Sequence, residues 1–451
     1  MCSGLSKSNS RVPRLACPTV SSALLDKPAM APDLQSREGL TTSATATVGP
    51  IKVLHMHGRM GRGGAEMRTV EIFRNIDRRR YQFHFCALSG MYGELDDEIR
   101  VLGGEVHLMR QGIGGFKRRF GDLLRREKYD VVHSHLYFQS GYFLRLAAQN
   151  GVPVRVAQFR CSQLQRCGTA ARRTARWLLS PFVQRYASQR VLRGWIDRHA
   201  THILGSSEGV LSATWGPQWT SDPRCRVVYP GLEVPPFAAV SDGAAVRQDL
   251  GLPEDAPFFI HVGRMTEAKN HLRLLSIFCE LLQRSPMARL VLVSRVAVTP
   301  DEMAVERVVR RRIAKLALAN RIVLSGERTD VPRLLKAADV LIFPSRWEGF
   351  GGVVLEACAA GTPSVCSDLP SIREIGDCLP GIRRLSLDEP DAAWADAACA
   401  LAARPPDKQS RRVALQSFTE SQFTVERCTK SLCGIWDTSA EPDAVGGNAH
   451  G

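Results

Sequence analysis

Two glutamates flank a run of glycine: Glu348 stands just before Gly349, Gly351 and Gly352, and Glu356 lies eight positions after Glu348. Glycine lets backbone approach a ligand closely, and the first amides of a following helix attract anions such as phosphate. Carboxylates beside such a site would repel a bare phosphate. They suit a molecule with hydroxyls next to its phosphates, because an ionised carboxylate accepts hydrogen bonds from two hydroxyls of a sugar or ribose. The plainer explanation is a strand-turn-helix with a solvated Glu348 and a helix-capping Glu356.

Partners of suitable chemistry occur elsewhere. Arg264 and Lys269 follow the apolar run 258–262, and two fixed cations can neutralise a departing diphosphate. A second glycine-rich loop holds Gly63 and Gly64 after the apolar run IKVLHMH, although it does not match G-x-G-x-x-G. In DVVHSHL, alternation puts His133 and His135 on one face, opposite Ser134, with His135 nearer the strand end. No Asp-x-Asp and no His/Cys cluster with ligand spacing is present, so neither metal nor cofactor is expected.

These groups must be carried by repeated strand-helix units. Strands are predicted at 51–57, 83–89, 105–109, 130–136, 154–159, 201–206 and 226–229, then at 258–262, 290–294, 321–324 and 340–343. Helical or basic segments separate most of them, which implies mostly parallel sheets with ligands at the strands' carboxyl ends. The Gly- and Pro-containing stretch YPGLEVPPFAAV reads as a linker between two such units. The simplest assembly is two α/β domains in tandem with a cleft between them.

The chain has 451 residues, 44% hydrophobic and 23% charged, enough for two ordinary domains. A net charge of +15 points to an anionic partner without choosing among phosphate-bearing substrate, membrane surface and nucleic acid. Thirteen cysteines include no C-x-x-C pair, and Cys86, Cys358 and Cys366 sit in apolar runs, so a reducing compartment without disulfides is expected. No apolar run reaches the ~18 residues of a membrane span. The first 48 residues are rich in Ser, Thr, Pro and Ala and read as a disordered extension without a signal, with Met30 as an alternative start.

Residues 155–198 hold ten arginines against a single acidic residue, Asp197, interleaved with Trp177, Phe182, Tyr186 and Trp195. A basic helix with an apolar side is expected, resting on an anionic membrane or facing a lipid-linked acceptor; a solvated basic helix is the alternative.

Taken together, the motifs resemble the retaining family 4 glycosyltransferases, also called glycosyltransferase group 1, over about residues 51–437. The resemblance rests on GGAE at 63–66, DVVHSH at 130–135, HVGRMTEAKNH at 261–271, SGERTDVPRLLKAADVLIFPS at 325–345 and EGFGGVVLEACAAGTPSV at 348–365. It implies the GT-B fold, an α/β architecture of two Rossmann-like parallel-sheet domains facing each other across a cleft. The implied division is 49–232 for the acceptor domain, 233–244 for the linker, 245–416 for the donor domain and 417–437 for a closing helix. Residues 438–451 would be a disordered tail.

By that resemblance a nucleotide-sugar donor would bind mainly the second domain, and a glycan or lipid-linked acceptor the first. Glu356 would take the ribose hydroxyls, Glu348 the donor sugar, and Arg264 with Lys269 the diphosphate. Backbone amides from Phe350, Gly351 and Gly352 would assist, with Gly326 and Arg328 joining the donor site. Gly63 and Gly64 would close the cleft, and His135 would sit by the reacting sugar. The implied reaction is metal-independent hexosyl transfer with retention, by front-side attack through an oxocarbenium-like state. Its setting would be polysaccharide or glycolipid biosynthesis, in the cytoplasm or peripherally on the inner face of the cell membrane.

Two departures bear on the pocket. Ser294-Arg295-Val296 replaces a frequent Gly-x-Gly turn, and Gly352 stands where a larger apolar residue or proline is common. A catalytically silent sugar-nucleotide or anionic-surface binding protein is the alternative function. Nucleic-acid binding ranks below both, because the arginines are confined to one segment and no recognised module accompanies them.

Overall fold

The computed structural model describes residues 49–440, except 112–113, 162–180 and 241. The expectations for residues 1–48 and 441–451 lie outside these residues.

Seven strands form the first sheet: β1 (Ile51–His57), β2 (Tyr81–Ala87), β3 (Glu105–Leu108), β4 (Val131–Ser134), β5 (Val154–Phe159), β6 (His202–Gly205) and β7 (Cys225–Val227). Their order is β3-β2-β1-β4-β5-β6-β7, and every pair is parallel. The second sheet contains β8 (Phe258–Val262), β9 (Arg289–Val293), β10 (Ile322–Gly326), β11 (Val340–Phe343), β12 (Ser364–Ser367) and β13 (Ile382–Leu385). It runs β10-β9-β8-β11-β12-β13, again all parallel.

Central strands are apolar on both faces because helices cover both faces of each sheet. Val53 packs with Phe83, Phe85 and Trp436 on one side of the first sheet, while its neighbour Leu54 packs with Phe120 and Phe143 on the other. Phe258 and Phe259 divide in the same way between the two cores of the second sheet. In each sheet the strand order reverses beside the first strand, between β1 and β4 and between β8 and β11. A crevice opens at such a switch point, outside the carboxyl ends of the strands.

The chain crosses between the sheets twice, side by side. Leu232 exchanges backbone hydrogen bonds with Phe423 and Val425, both at 3.0 Å. Gly231 is needed there, because a Cβ would come within 2.5 Å of the Thr424 and Val425 backbone. After this crossing the helix Val425–Trp436 buries Leu432, Ile435 and Trp436 in a core of the first sheet.

Several expectations change. β12 and β13 were not predicted: β12 is a short strand within a mixed segment, and β13 (IRRL) carries two arginines on an edge strand, without an apolar run. Phe418 belongs to a separate helix, Lys408–Glu420, so the closing helix begins only after the Thr424 cap. A 3-10 turn, Asp437–Ala440, extends order past the expected end.

Candidate active site

Lys269 ends a 3-10 turn, Glu267–Lys269, and Asn270 follows in the left-handed region. Its stem lies against Gly263, where a Cβ would meet Lys269 carbons at 3.1 Å. Nζ reaches 2.6 Å from Glu348 Oε1 and sits 4.5 Å over the Phe343 ring. The loops after β8 and β11 thus meet through an ion pair shielded on one side by an aromatic face.

The helix Gly352–Ala360 starts from Gly351, whose φ of +87° favours glycine and whose Cβ would strike Ile372. No side chain caps this end, so its first amides lack intrahelical partners. A Cβ on Gly352 would meet nothing within 4 Å, which leaves open space beside those amides. Phe350 is buried against Tyr229 and Phe423, so its ring serves packing and only its backbone is suited to a ligand.

Glu356, one turn into that helix, lies 3.1 Å from Arg68 Nη2 in the first domain. Arg68 Nη1 donates to Glu71 at 2.5 Å. Burial raises both carboxyls, Glu71 to about 7, and Arg68 opposes the rise in each.

Arg264 pairs with buried Glu302 at 3.5 Å, and Arg295 reaches the same oxygen at 2.8 Å. The other Glu302 oxygen accepts from the Thr299 amide in a capping box. The Ser294-Arg295-Val296 departure therefore places a second guanidinium beside Arg264. Gly326 ends β10 with φ +72°. Arg328 is shared between Asp249 at 2.7 Å and Asp330 at 2.8 Å, which fastens the helix Gly243–Asp249 to this loop.

In the first domain, parallel register pairs His55 with His133. Four imidazoles consequently stack: His57 and His133 each lie 4.3 Å from the His135 ring, and His55 Nδ1 is 3.1 Å from His135 Nε2. Burial lowers His55 to about 3 and holds the other three well below the usual imidazole value, with further lowering from Arg160. The rings are neutral at pH 7 and suit hydrogen bonding to hydroxyls. Among the described residues, Nε2 of His57 and Nδ1 of His135 have no hydrogen-bond partner.

Gly63 is the N-cap of the helix Gly64–Asn75, and a Cβ there would strike the Glu66 carboxylate. A Cβ on Gly64 would meet nothing within 4 Å. Glu66 lies 3.9 Å from His57 Nδ1; burial raises its carboxyl, and Arg160, Arg264 and Arg295 pull it down. Across the gap, Gly349 O accepts from Ser207 Oγ at 3.0 Å, and a Cβ on Gly349 would collide with the Arg160 carbonyl.

The fold brings Glu348 to Lys269 and places His135 in the histidine stack. Sequence reasoning assigned no role to Glu66, Arg68, Arg295, His55 or His57. The signal for the two histidines was legible, since His55 and His57 alternate on β1 as His133 and His135 do around β4. It also found no ligand-spaced cluster, but pairing of β1 with β4 brings ring nitrogens of His55, His57 and His135 within 4.8 Å of one another.

Some arginines of the basic segment are bonded within the protein. Residues 162–180 lie outside the described residues. Arg155 donates to the carbonyls of His199 and Val152, and Arg193 stacks 4.7 Å over Trp215 while bonding Thr214 O. Trp195 and buried Ile196 pack against the helix Ser140–Gln149. Among the described residues no helix is long and apolar enough to cross a membrane.

The family description "Glycosyl transferases group 1" matches residues 243–378, and "Glycosyl transferase 4-like domain" matches 63–231. The chain is 29% identical to the capsular polysaccharide biosynthesis glycosyltransferase CapH of Staphylococcus aureus, over 68% of this chain and 78% of that one. It is 30% identical to D-inositol 3-phosphate glycosyltransferase of Saccharomonospora viridis, over 68% and 70% respectively. Among solved structures, Anabaena Alr3699/HepE in complex with UDP and glucose superposes with a TM-score of 0.68 at 18% identity, covering 86% of this chain and all of that one. The architecture of two parallel-sheet α/β domains is the GT-B fold.

Proposed function

We propose, from the premise that this chain belongs to the group 1 glycosyltransferases, that it moves a hexosyl group from a UDP-sugar to a hydroxyl of a glycan or lipid-linked acceptor, with retention. UDP is chosen because the HepE complexes contain UDP and glucose, and polysaccharide assembly because CapH serves capsular polysaccharide biosynthesis. The observation that carries the reading is the convergence of the Lys269–Glu348 pair, Glu356 and the open helix start at Gly352.

In this reading the diphosphate lies between the first amides of the helix Gly352–Ala360 and the side chains of Arg264 and Lys269. Glu356 accepts from the ribose hydroxyls and Glu348 from a sugar hydroxyl. As the bond from the anomeric carbon to the diphosphate oxygen breaks, negative charge gathers on that oxygen, and the two cations stabilise it more than they stabilised the ground state. The acceptor oxygen bonds to the anomeric carbon on the same face, and its proton passes to the departing phosphate oxygen. Neutral His135 orients the sugar.

A position at the inner face of a membrane belongs to the same proposal, since lipid-linked acceptors reside there. The test is single-turnover transfer from a panel of UDP-, GDP- and ADP-sugars by wild type and Glu356→Ala. A preference for UDP-sugars that Glu356→Ala abolishes supports the assignment; equal rates in the two proteins overturn it.

A further inference from the structure

The outer edge of the first sheet carries a second group of ionisable side chains that the transfer reaction does not use. β3 is the edge strand, and its register against β2 pairs Glu105 with His84 and His107 with Cys86. Alternation then puts Glu105, His107 and His84 on one face. Three ligand-type atoms converge: His107 Nε2 is 3.4 Å from His84 Nδ1 and 3.7 Å from Glu105 Oε2, which is 4.0 Å from His84 Nδ1.

We propose that His84, Glu105 and His107 form a site for one Zn2+ ion. Tetrahedral zinc with bonds of about 2.0–2.1 Å sets its ligand atoms ~3.4 Å apart, so the three separations need only small side-chain adjustments. Two imidazoles and one carboxylate are zinc's usual mixture of donors, and they leave a fourth position for water. Burial keeps both histidines below the usual imidazole value, hence unprotonated and able to bind metal at pH 7.

Charge and access are also suitable. Lys52 and Arg126, whose charges reach the rings, pair with Glu127 at 3.8 and 2.8 Å, and Glu105 brings a negative charge to offset the ion. Glu105 is 59% exposed, so an ion can enter from solvent, while His84 is buried and anchors the site. The Tyr129 hydroxyl, 2.8 Å from His84 Nδ1 and 3.0 Å from His107 Nε2, bonds the same two nitrogens when no ion is bound and has to give up both contacts as the ion takes them.

The test uses the full chain, stripped with EDTA and titrated with Zn2+ against a chromophoric chelator. The variants are Glu105→Gln, at an exposed side chain, and His107→Gln, at a partly buried one. Wild type is expected to bind one more equivalent than either variant, or to bind that equivalent at least roughly tenfold tighter. Co2+ should give a tetrahedral visible spectrum in wild type that the variants lose. Zinc held only by His55, His57 and His135 would leave the variants indistinguishable from wild type; that result, or no uptake by wild type, overturns the proposal.

Discussion

Arg68 on the first domain reaches Glu356 on the second at 3.1 Å while holding Glu71 of its own helix with its other guanidinium nitrogen. A cation from one sheet is therefore bonded to the carboxylate proposed to bind the donor on the other. The pair is partly buried, so its coupling should exceed that of a surface ion pair. A double-mutant cycle on Arg68→Ala and Glu356→Ala, read by urea unfolding, should give a coupling of about 1–2 kcal/mol. Strict additivity would show that the contact contributes nothing.

Lys269 tests where charge is stabilised. Because negative charge grows on the leaving diphosphate, Lys269→Met should lower kcat by roughly a hundredfold or more while the donor KM changes far less. A rise confined to KM would mean that the lysine only binds the ground state.

Two neighbouring glycines should behave oppositely. Gly349→Ala forces a Cβ onto the Arg160 carbonyl where the two domains touch, and should cost about 2 kcal/mol or more with loss of transfer. Gly352→Ala fills open space at a helix start and should leave stability within about 0.5 kcal/mol, yet weaken the donor if the sugar occupies that space. Melting curves with and without UDP-sugar separate the two; unchanged donor affinity in Gly352→Ala would place the sugar elsewhere.

The histidine stack predicts an acid limit to stability. His55 and His133 stay unprotonated when folded, whereas an unfolded histidine takes up a proton below about pH 6.5. Stability is thus complete above that pH and falls as pH drops, by about 1.4 kcal/mol per pH unit for each such group. His133→Phe should lose roughly 1 kcal/mol less than wild type between about pH 6 and pH 5. Glu71 titrates near 7 with the opposite sign, but equally in both proteins. Parallel declines would refute the prediction.

Much of the architecture was legible because its signals are local. Short apolar runs separated by helical segments announced parallel sheets, and the GT-B arrangement agrees with that reading. Four inner strands, β1, β5, β8 and β11, matched their predicted limits, whereas β13 escaped notice because an edge strand need not be apolar. The glycine-rich turn, Glu348, Glu356 and the alternating histidines could likewise be recognised as residue types at telling positions.

What the sequence alone determined is therefore the inventory: the strand-helix alternation, the two glycine turns, and which residues could bind a phosphate or a hydroxyl. Tertiary structure decided the partnerships. Arg68 meets Glu356 across 288 positions and Lys269 meets Glu348 across 79. β1 beside β4 makes one histidine stack, and β2 beside β3 makes the His84–Glu105–His107 group. The reason is physical: hydrophobic period and backbone freedom act over a few residues, whereas strand register and domain contact arise only when distant segments bury their surfaces together.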